Sequence, residues 1–297
     1  MVSIRTMKII GLFGLISSFV VFTQSRAFGQ AAVLADDPAT LAASATEAAT
    51  AHPFVYSGQF LYELMRTADE SIDTSYSAWY QITGSATYKR LGITTSARLG
   101  YTQEYTYASD DGSVGSVVNP SVTVSKSFLN GRDYNFAWFD SASISVSGLI
   151  GANRESERRS LLWTNGLTIT GSKSLGRFFL RQSFGYSRSF FEYEIRDNGV
   201  VNSPSTLRSN SLVYYSLTDK LSLGGSFTYA YSVSYQDVGR VVTMAAASVD
   251  YVITNKISAS LGVSSERSVL EPDGQSSRIR LYAPETAQYF ADLIISL

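Results

Sequence analysis

The chain has no cysteine and only one histidine among its 297 residues. The first absence excludes structural disulfides, thiolate metal ligands and a lipid-modified N-terminal cysteine. The second removes the side chain that most often works as a base near neutral pH. The lone His52 precedes the regular part of the chain, beside Pro53, with no partner in the sequence to orient it. Charge is also scarce. Charged residues make up 16% of the chain, against about 25% in a soluble domain. Long apolar runs are missing too: mean hydropathy is +0.01, too low for a bundle of membrane-spanning helices. A net charge of −1 gives no electrostatic pull toward nucleic acid, so no nucleic-acid partner is expected.

Metal and catalytic patterns are thin. Asp110-Asp111-Gly112 reads as a turn, because a calcium site needs about six oxygen ligands. No glycine-rich phosphate loop is present. No metal, no cofactor and no catalytic residues are expected, and the chain is not expected to be an enzyme.

What the chain does have is alternation and aromatics. At the N-terminus, Arg5 and Lys8 precede an apolar stretch from Ile9 to Val21. Ala27-Phe28-Gly29 then supplies small residues for cleavage, with Gly29-Gln30-Ala31 as a second position. Residues 1–29 read as a Sec signal peptide, too short in its apolar core for a spanning helix. Residues 30–53 form an Ala- and Thr-rich leader. It is either a flexible periplasmic segment or a plug with a short helix starting at Asp37-Pro38.

From Phe54 to Leu297 the period is two. Leu221, Leu223, Phe227, Tyr229, Tyr231, Val233 and Tyr235 share one face. Ser222, Ser226, Thr228, Ser232, Ser234 and Gln236 share the other. Successive side chains on a strand point to opposite faces, so this segment has an apolar and a polar side. It is also much longer than the roughly six residues of an average soluble strand. Ile93 to Tyr107, Phe136 to Ser147, Trp163 to Thr170 and Tyr289 to Leu297 alternate in the same way. Short turns at Lys89–Gly92, Leu129–Arg132, Lys173–Gly176, Thr218–Lys220 and Thr254–Lys256 alternate with longer polar segments. These fall near residues 68–73, 108–116, 150–160, 195–205, 237–240 and 270–276. The pattern predicts about twelve strands, at 54–67, 74–88, 91–107, 117–127, 134–149, 160–172, 177–194, 206–217, 221–236, 240–253, 257–269 and 277–297. The last is expected to be interrupted near Pro284, which cannot donate to a ladder. No connection longer than about a dozen residues is expected.

With these features the region 54–297 resembles a bacterial outer-membrane β-barrel. The resemblance implies an all-β, antiparallel, up-and-down transmembrane barrel in the outer membrane. Its short turns would be periplasmic and its partners would be outer-membrane lipid, lipopolysaccharide and the barrel-assembly machinery. The C-terminal strand resembles the assembly signal of such proteins, but it ends in Leu297 where an aromatic residue is usual. The polar parity places eleven charges toward the interior: Glu63, Arg98, Glu104, Arg177, Arg181, Arg208, Asp250, Glu266, Arg278, Arg280 and Asp292. A charge facing lipid costs about 2–4 kcal/mol near the midplane, so an inward position is expected for each.

Three functional readings follow. The first is a small channel passing a small hydrophilic solute. The second is a closed barrel that anchors an envelope protein partner or displays loops. The third is a carboxylate-dependent hydrolase, which the lack of a positioned base disfavours. The run Arg154-Glu155-Ser156-Glu157-Arg158-Arg159 reads as a solvated loop tip, with lipopolysaccharide phosphates as a candidate contact for Arg158 and Arg159.

Overall fold

The structure is a computed structural model that describes residues 53–67, 75–106, 114–130, 138–196, 199–269, 282 and 286–297. The signal peptide, the leader up to His52, and Arg278 and Arg280 lie outside the described residues.

Each alternating segment forms a strand, and each strand pairs with its sequence neighbours. The strands are β1 (Phe54–Thr67), β2 (Ser75–Tyr88), β3 (Ile93–Thr106), β4 (Val114–Asn130), β5 (Ser141–Ile150) and β6 (Leu161–Leu175). They continue with β7 (Phe178–Phe191), β8 (Ser205–Ser216), β9 (Leu221–Val233), β10 (Gly239–Thr254), β11 (Ile257–Ser268) and β12 (Ala287–Ser296). β12 returns to β1 in antiparallel register, with Gln59 opposite Ser296 and Glu63 opposite Asp292. The sheet therefore closes into a twelve-stranded barrel.

Register fixes the two surfaces. Leu223 faces Val249 and Val249 faces Leu261, and all three are exposed. One residue along, Ser222 faces Asp250 and Asp250 faces Ser260, and these are buried. Large apolar side chains thus cover the outside while hydroxyls and carboxylates face in. That sorting is what a barrel surrounded by hydrocarbon requires, since closure leaves no unpaired backbone edge. Some polar groups that face out satisfy one another. Gln182 donates to Ser209 at 2.9 Å and accepts from Ser211 at 2.5 Å. Aromatic pairs mark both ends of the outer surface. Phe54–Tyr88 and Phe178–Tyr215, with ring centroids at 5.2 and 4.7 Å, sit at the end with the short turns. Trp163–Phe190 sits at the other end, at 5.0 Å. Amphipathic rings of this kind suit a membrane–water boundary.

Several boundaries differ from the sequence expectation. β9 stops at Val233, three residues early. The Ser234 hydroxyl accepts from the Gln236 and Val238 amides, and Asp237 adopts a left-handed φ of 57°, so a local turn wins over the ladder. β5 begins at Ser141 and not near residue 134, and Trp138 lies outside the strand, 89% exposed. Asp140 replaces the expected alternation with a tether. Its carboxylate accepts from Lys173 Nζ at 2.7 Å and from the Ser174 amide at 2.8 Å. Those two bonds hold the carboxyl below its usual pKa. The β7–β8 connection, residues 192–204, spans thirteen positions, close to the expected dozen. β12 runs over Ala287–Ser296, and most of the stretch 270–286, with the expected interruption near Pro284, lies outside the described residues. The charged run after Asn153 is a helical turn, α1 (Arg154–Arg158), rather than plain loop. Asn153 caps it by accepting from the Ser156 amide at 2.7 Å, a sequence signal available in the Asn-x-x-Ser spacing and the acidic first turn.

Inside, Phe290 on β12 lies across Gly262 on β11, its direct partner. A Cβ at Gly262 would run into the Phe290 ring and the Ala247 carbonyl oxygen. Gly262→Ala is expected to destabilise the barrel by about 1–3 kcal/mol through overpacking. The readout is the temperature at which the folded form is lost in heat-modified gel migration. An unchanged temperature would show that the ring moves freely.

Candidate functional site

The inward face is built by parity, so its composition follows from which residue each strand places at each level. One row crosses six strands: Ser222, Asp250, Ser260, Asp292, Glu63 and Trp79 are successive cross-strand partners from β9 around to β2. It carries three of the expected interior carboxylates. All six side chains are buried. Asp250 is well provided for: it accepts from Ser260 at 2.6 Å and from Ser248 at 2.9 Å. Tyr214 on β8 is buried opposite Gly224 on β9 and lies within electrostatic reach of Asp250, Arg181 and Asp292. Glu63 and Asp292 are different. They face each other across the closing ladder, and none of their four carboxylate oxygens has a hydrogen-bond donor. Beside them on the same two strands, Leu61 and Ile294 form a small apolar cluster.

The opposite wall is lined by small hydroxyl side chains. Ser143 and Ser145 on β5, Thr168 and Thr170 on β6, and Ser183 on β7 face inward and keep part of their surface accessible. Thr170 and Ser183 share a hydrogen bond at 3.0 Å. An inward side chain in a closed barrel can be accessible only where the lumen has room for water. The interior is thus buried along the row from Ser222 to Trp79 and at Leu149, Thr164 and Ser187 near the outer end, and accessible at the hydroxyls of β5–β7 below them.

The remaining expected charges divide. Arg98 lies on β3 in a lower row, opposite Thr83, with its Nε and one terminal nitrogen buried and without a partner. Arg208 on β8 and Glu266 on β11 lie within electrostatic reach of each other. Arg181 is half-buried on β7, and Glu104 is exposed near the outer end of β3. Arg177 is not on a strand face. It sits in the β6–β7 turn beside Gly176, which has a φ of 61°, where alternation no longer sets direction. Two arginines take the outward parity instead, Arg188 and Arg267. Arg188 binds the Ser205 hydroxyl at 2.8 Å, and Arg267 pairs with Thr243. Near strand ends their long stems can carry the charge to the lipid headgroups.

A second feature at the outer end had no counterpart in the sequence reading. Two buried asparagines tie the outer connections together. Asn119, in a β-bulge of β4, accepts from the amides of Ala152 and Asn153 at 2.8 and 2.9 Å and donates to Ser156 at 2.7 Å. Asn202 is fully buried. It donates to the carbonyls of Arg159 and Tyr193 at 2.8 and 2.9 Å, and its own carbonyl accepts from the Tyr235 amide at 3.1 Å. Three connections are thereby locked into one shelf. The partners lie up to 43 residues apart, so no local motif announces them.

The unsatisfied pair at the seam carries a prediction. Asp292→Asn supplies N–H donors to Glu63 and removes the like-charge opposition of two buried carboxyls. It is expected to raise stability by about 1–3 kcal/mol, measured as a higher temperature of folded-band loss. A fall of that size would mean that both carboxylates are needed as they stand.

No family model matches the chain, and no curated protein matches it. Solved structures do. An outer membrane channel from Pseudomonas putida F1 superposes with a TM-score of 0.58 at 11% identity, over 82% of this chain and 95% of that one. The NanC porin covers 81% of this chain and 98% of its own, at 9% identity and a TM-score of 0.46. The KdgM porin covers 80% and 99%, at 9% identity and 0.43. The first of these shows a shared architecture. The chain has the closed, twelve-stranded fold of a bacterial outer-membrane barrel.

Proposed function

We propose that this chain is a non-enzymatic channel of the bacterial outer membrane, passing a small hydrophilic solute down its concentration gradient. The observation that carries the reading is the partial accessibility of Ser143, Ser145, Thr168, Thr170 and Ser183 on the inside of a closed barrel. Hydroxyls exchange hydrogen bonds with water and with polyhydroxylated or zwitterionic solutes without committing to either charge sign. The buried row opposite narrows the path to one side. Lipopolysaccharide around the rim and the assembly machinery acting on β12 are the partners that this reading calls for.

A second reading has support of its own. The buried row from Ser222 to Trp79 favours a closed barrel that anchors an envelope protein partner or displays the locked outer shelf. The hydrolase reading has less support: of the expected interior carboxylates, Glu63, Asp250 and Asp292 are buried, and Glu104 and Glu266 are exposed.

The channel reading is tested with purified, refolded protein in planar lipid bilayers. Discrete conductance steps are expected at moderate voltage in potassium chloride. Silence across a range of voltages and salt concentrations contradicts a channel and leaves the closed barrel.

A further inference from the structure

Arg98 is an interior cation that the barrel wall leaves uncompensated. It stands on the inward face of β3, between Thr83 on β2 and Ser121 on β4. Its Nε and Nη2 are buried and meet no acceptor. Among the described residues, no carboxylate acts on it electrostatically. The buried carboxylates lie elsewhere: Asp250 accepts from two serines, and Glu63 faces Asp292 across the seam. Arginine stays protonated in proteins, so a full charge is held inside the barrel with nothing of opposite sign beside it. Burying a charge unpaired is unfavourable.

Two further donors around it are in the same condition. Gln59 on β1 belongs to the same cross-strand row, with Gln59 opposite Thr83 and Thr83 opposite Arg98. Its Nε2 is buried without an acceptor. Trp79 on β2 is the partner of Glu63, yet its indole Nε1 is buried and unbonded. That nitrogen rests against the inner face of Gly100, where a Cβ would stand 3.1 Å from it. Gly100 is the next inward residue after Arg98, about 7 Å along the strand. Four buried nitrogens from three adjacent strands therefore gather on one part of the wall. All four are donors, and none has an acceptor. The Arg98 pair has a direction as well. Nε and Nη2 lie along one edge of the planar guanidinium, spaced to meet both oxygens of one carboxylate. Arg98, Thr83 and Gln59 each keep part of their surface accessible, so a solute in the lumen can approach that edge.

We propose that Arg98, with Trp79 and Gln59, forms an anion subsite in the lumen that takes the carboxylate of a small organic acid. The subsite rests on the channel reading for the solute's path and deepens it. The hydroxyl wall is indifferent to charge sign, whereas this part of the wall selects the anion.

The test has two readouts on the full folded barrel. In planar bilayers, reversal potentials are measured in gradients of potassium chloride and of potassium acetate. Arg98→Gln is expected to lower the permeability of acetate relative to potassium about tenfold, as loss of a charge-assisted bond does. Arg98→Lys keeps the charge and loses the fork, so it is expected to retain a preference for chloride over potassium while acetate loses ground to chloride. Arg90→Gln, the same charge change in an exposed turn, is expected to change neither ratio. Heat-modified gel migration confirms that each variant is folded. Binding is read apart from conduction in detergent. With the chain's other two tryptophans replaced, Trp138→Phe and Trp163→Phe, the emission of Trp79 is followed as potassium acetate is added at constant ionic strength. A change is expected, and Arg98→Gln is expected to abolish it. Dependence of either readout on Arg98 supports the subsite. An Arg98-dependent response of Trp79 without any conductance supports the subsite and removes the channel. Conductance with neither readout dependent on Arg98 overturns the subsite and leaves the channel standing. Silence in both readouts overturns both, and an Arg90→Gln effect as large as that of Arg98→Gln overturns the subsite.

Discussion

A strand in hydrocarbon has only other strands to bond to. Every backbone N–H and C=O must find a partner within the sheet, and an open edge would leave a row of them unmet. The ladder between β1 and β12 removes that edge, and the rest of the structure depends on it. Closure forces each side chain either outward to lipid or inward to a confined space. The period of two then becomes a sorting rule for the whole chain. The same rule explains why a weakly hydrophobic sequence can cross a membrane: only half of each strand has to be apolar.

Closure also concentrates an awkward pair of groups at the seam. Glu63 and Asp292 are cross-strand partners by register, so neither can move away without slipping the ladder. A slip of one residue would send the inward charges to the lipid and the outward leucines into the lumen. The strict parity around the seam, with Leu64 and Ala291 on the outer side, therefore holds the two carboxylates in place despite their lack of donors. Their neighbours Leu61 and Ile294 pack beneath them and exclude water. The opposite wall buries Leu149, Thr164 and Ser187 at its outer end and carries accessible hydroxyls below them. Its serines and threonines satisfy one another in pairs and leave room between them.

The fold was legible in the sequence because alternation is a local signal repeated twelve times. The strand number, the antiparallel order and the inward parity of Glu63, Asp250 and Asp292 all come from counting by two. The boundaries were less legible wherever a side chain outbid the ladder. Ser234 ended β9, Asp140 delayed β5, and Asn153 turned an apparent loop into α1. The site itself was only half legible. Parity says which residues face inward, but not which of them meet across the lumen or whether water reaches them. That depends on strand tilt and on side-chain volume at each level. The outer shelf was not legible at all. Asn119 falls inside an expected strand and Asn202 in an expected loop, and their roles arise from contacts between connections that only the closed barrel brings together.

The barrel carries a buried polar row from β9 to β2 and accessible hydroxyls facing it on β5–β7. The absence of native cysteine makes this arrangement directly testable by single-cysteine accessibility in proteoliposomes. Ser145→Cys and Ser183→Cys are expected to react readily with a charged, membrane-impermeant thiol reagent, while Ser260→Cys, at a position only 1% exposed, is expected to resist it. Equal protection of all three positions would contradict the account, because it would leave the barrel with no wet wall.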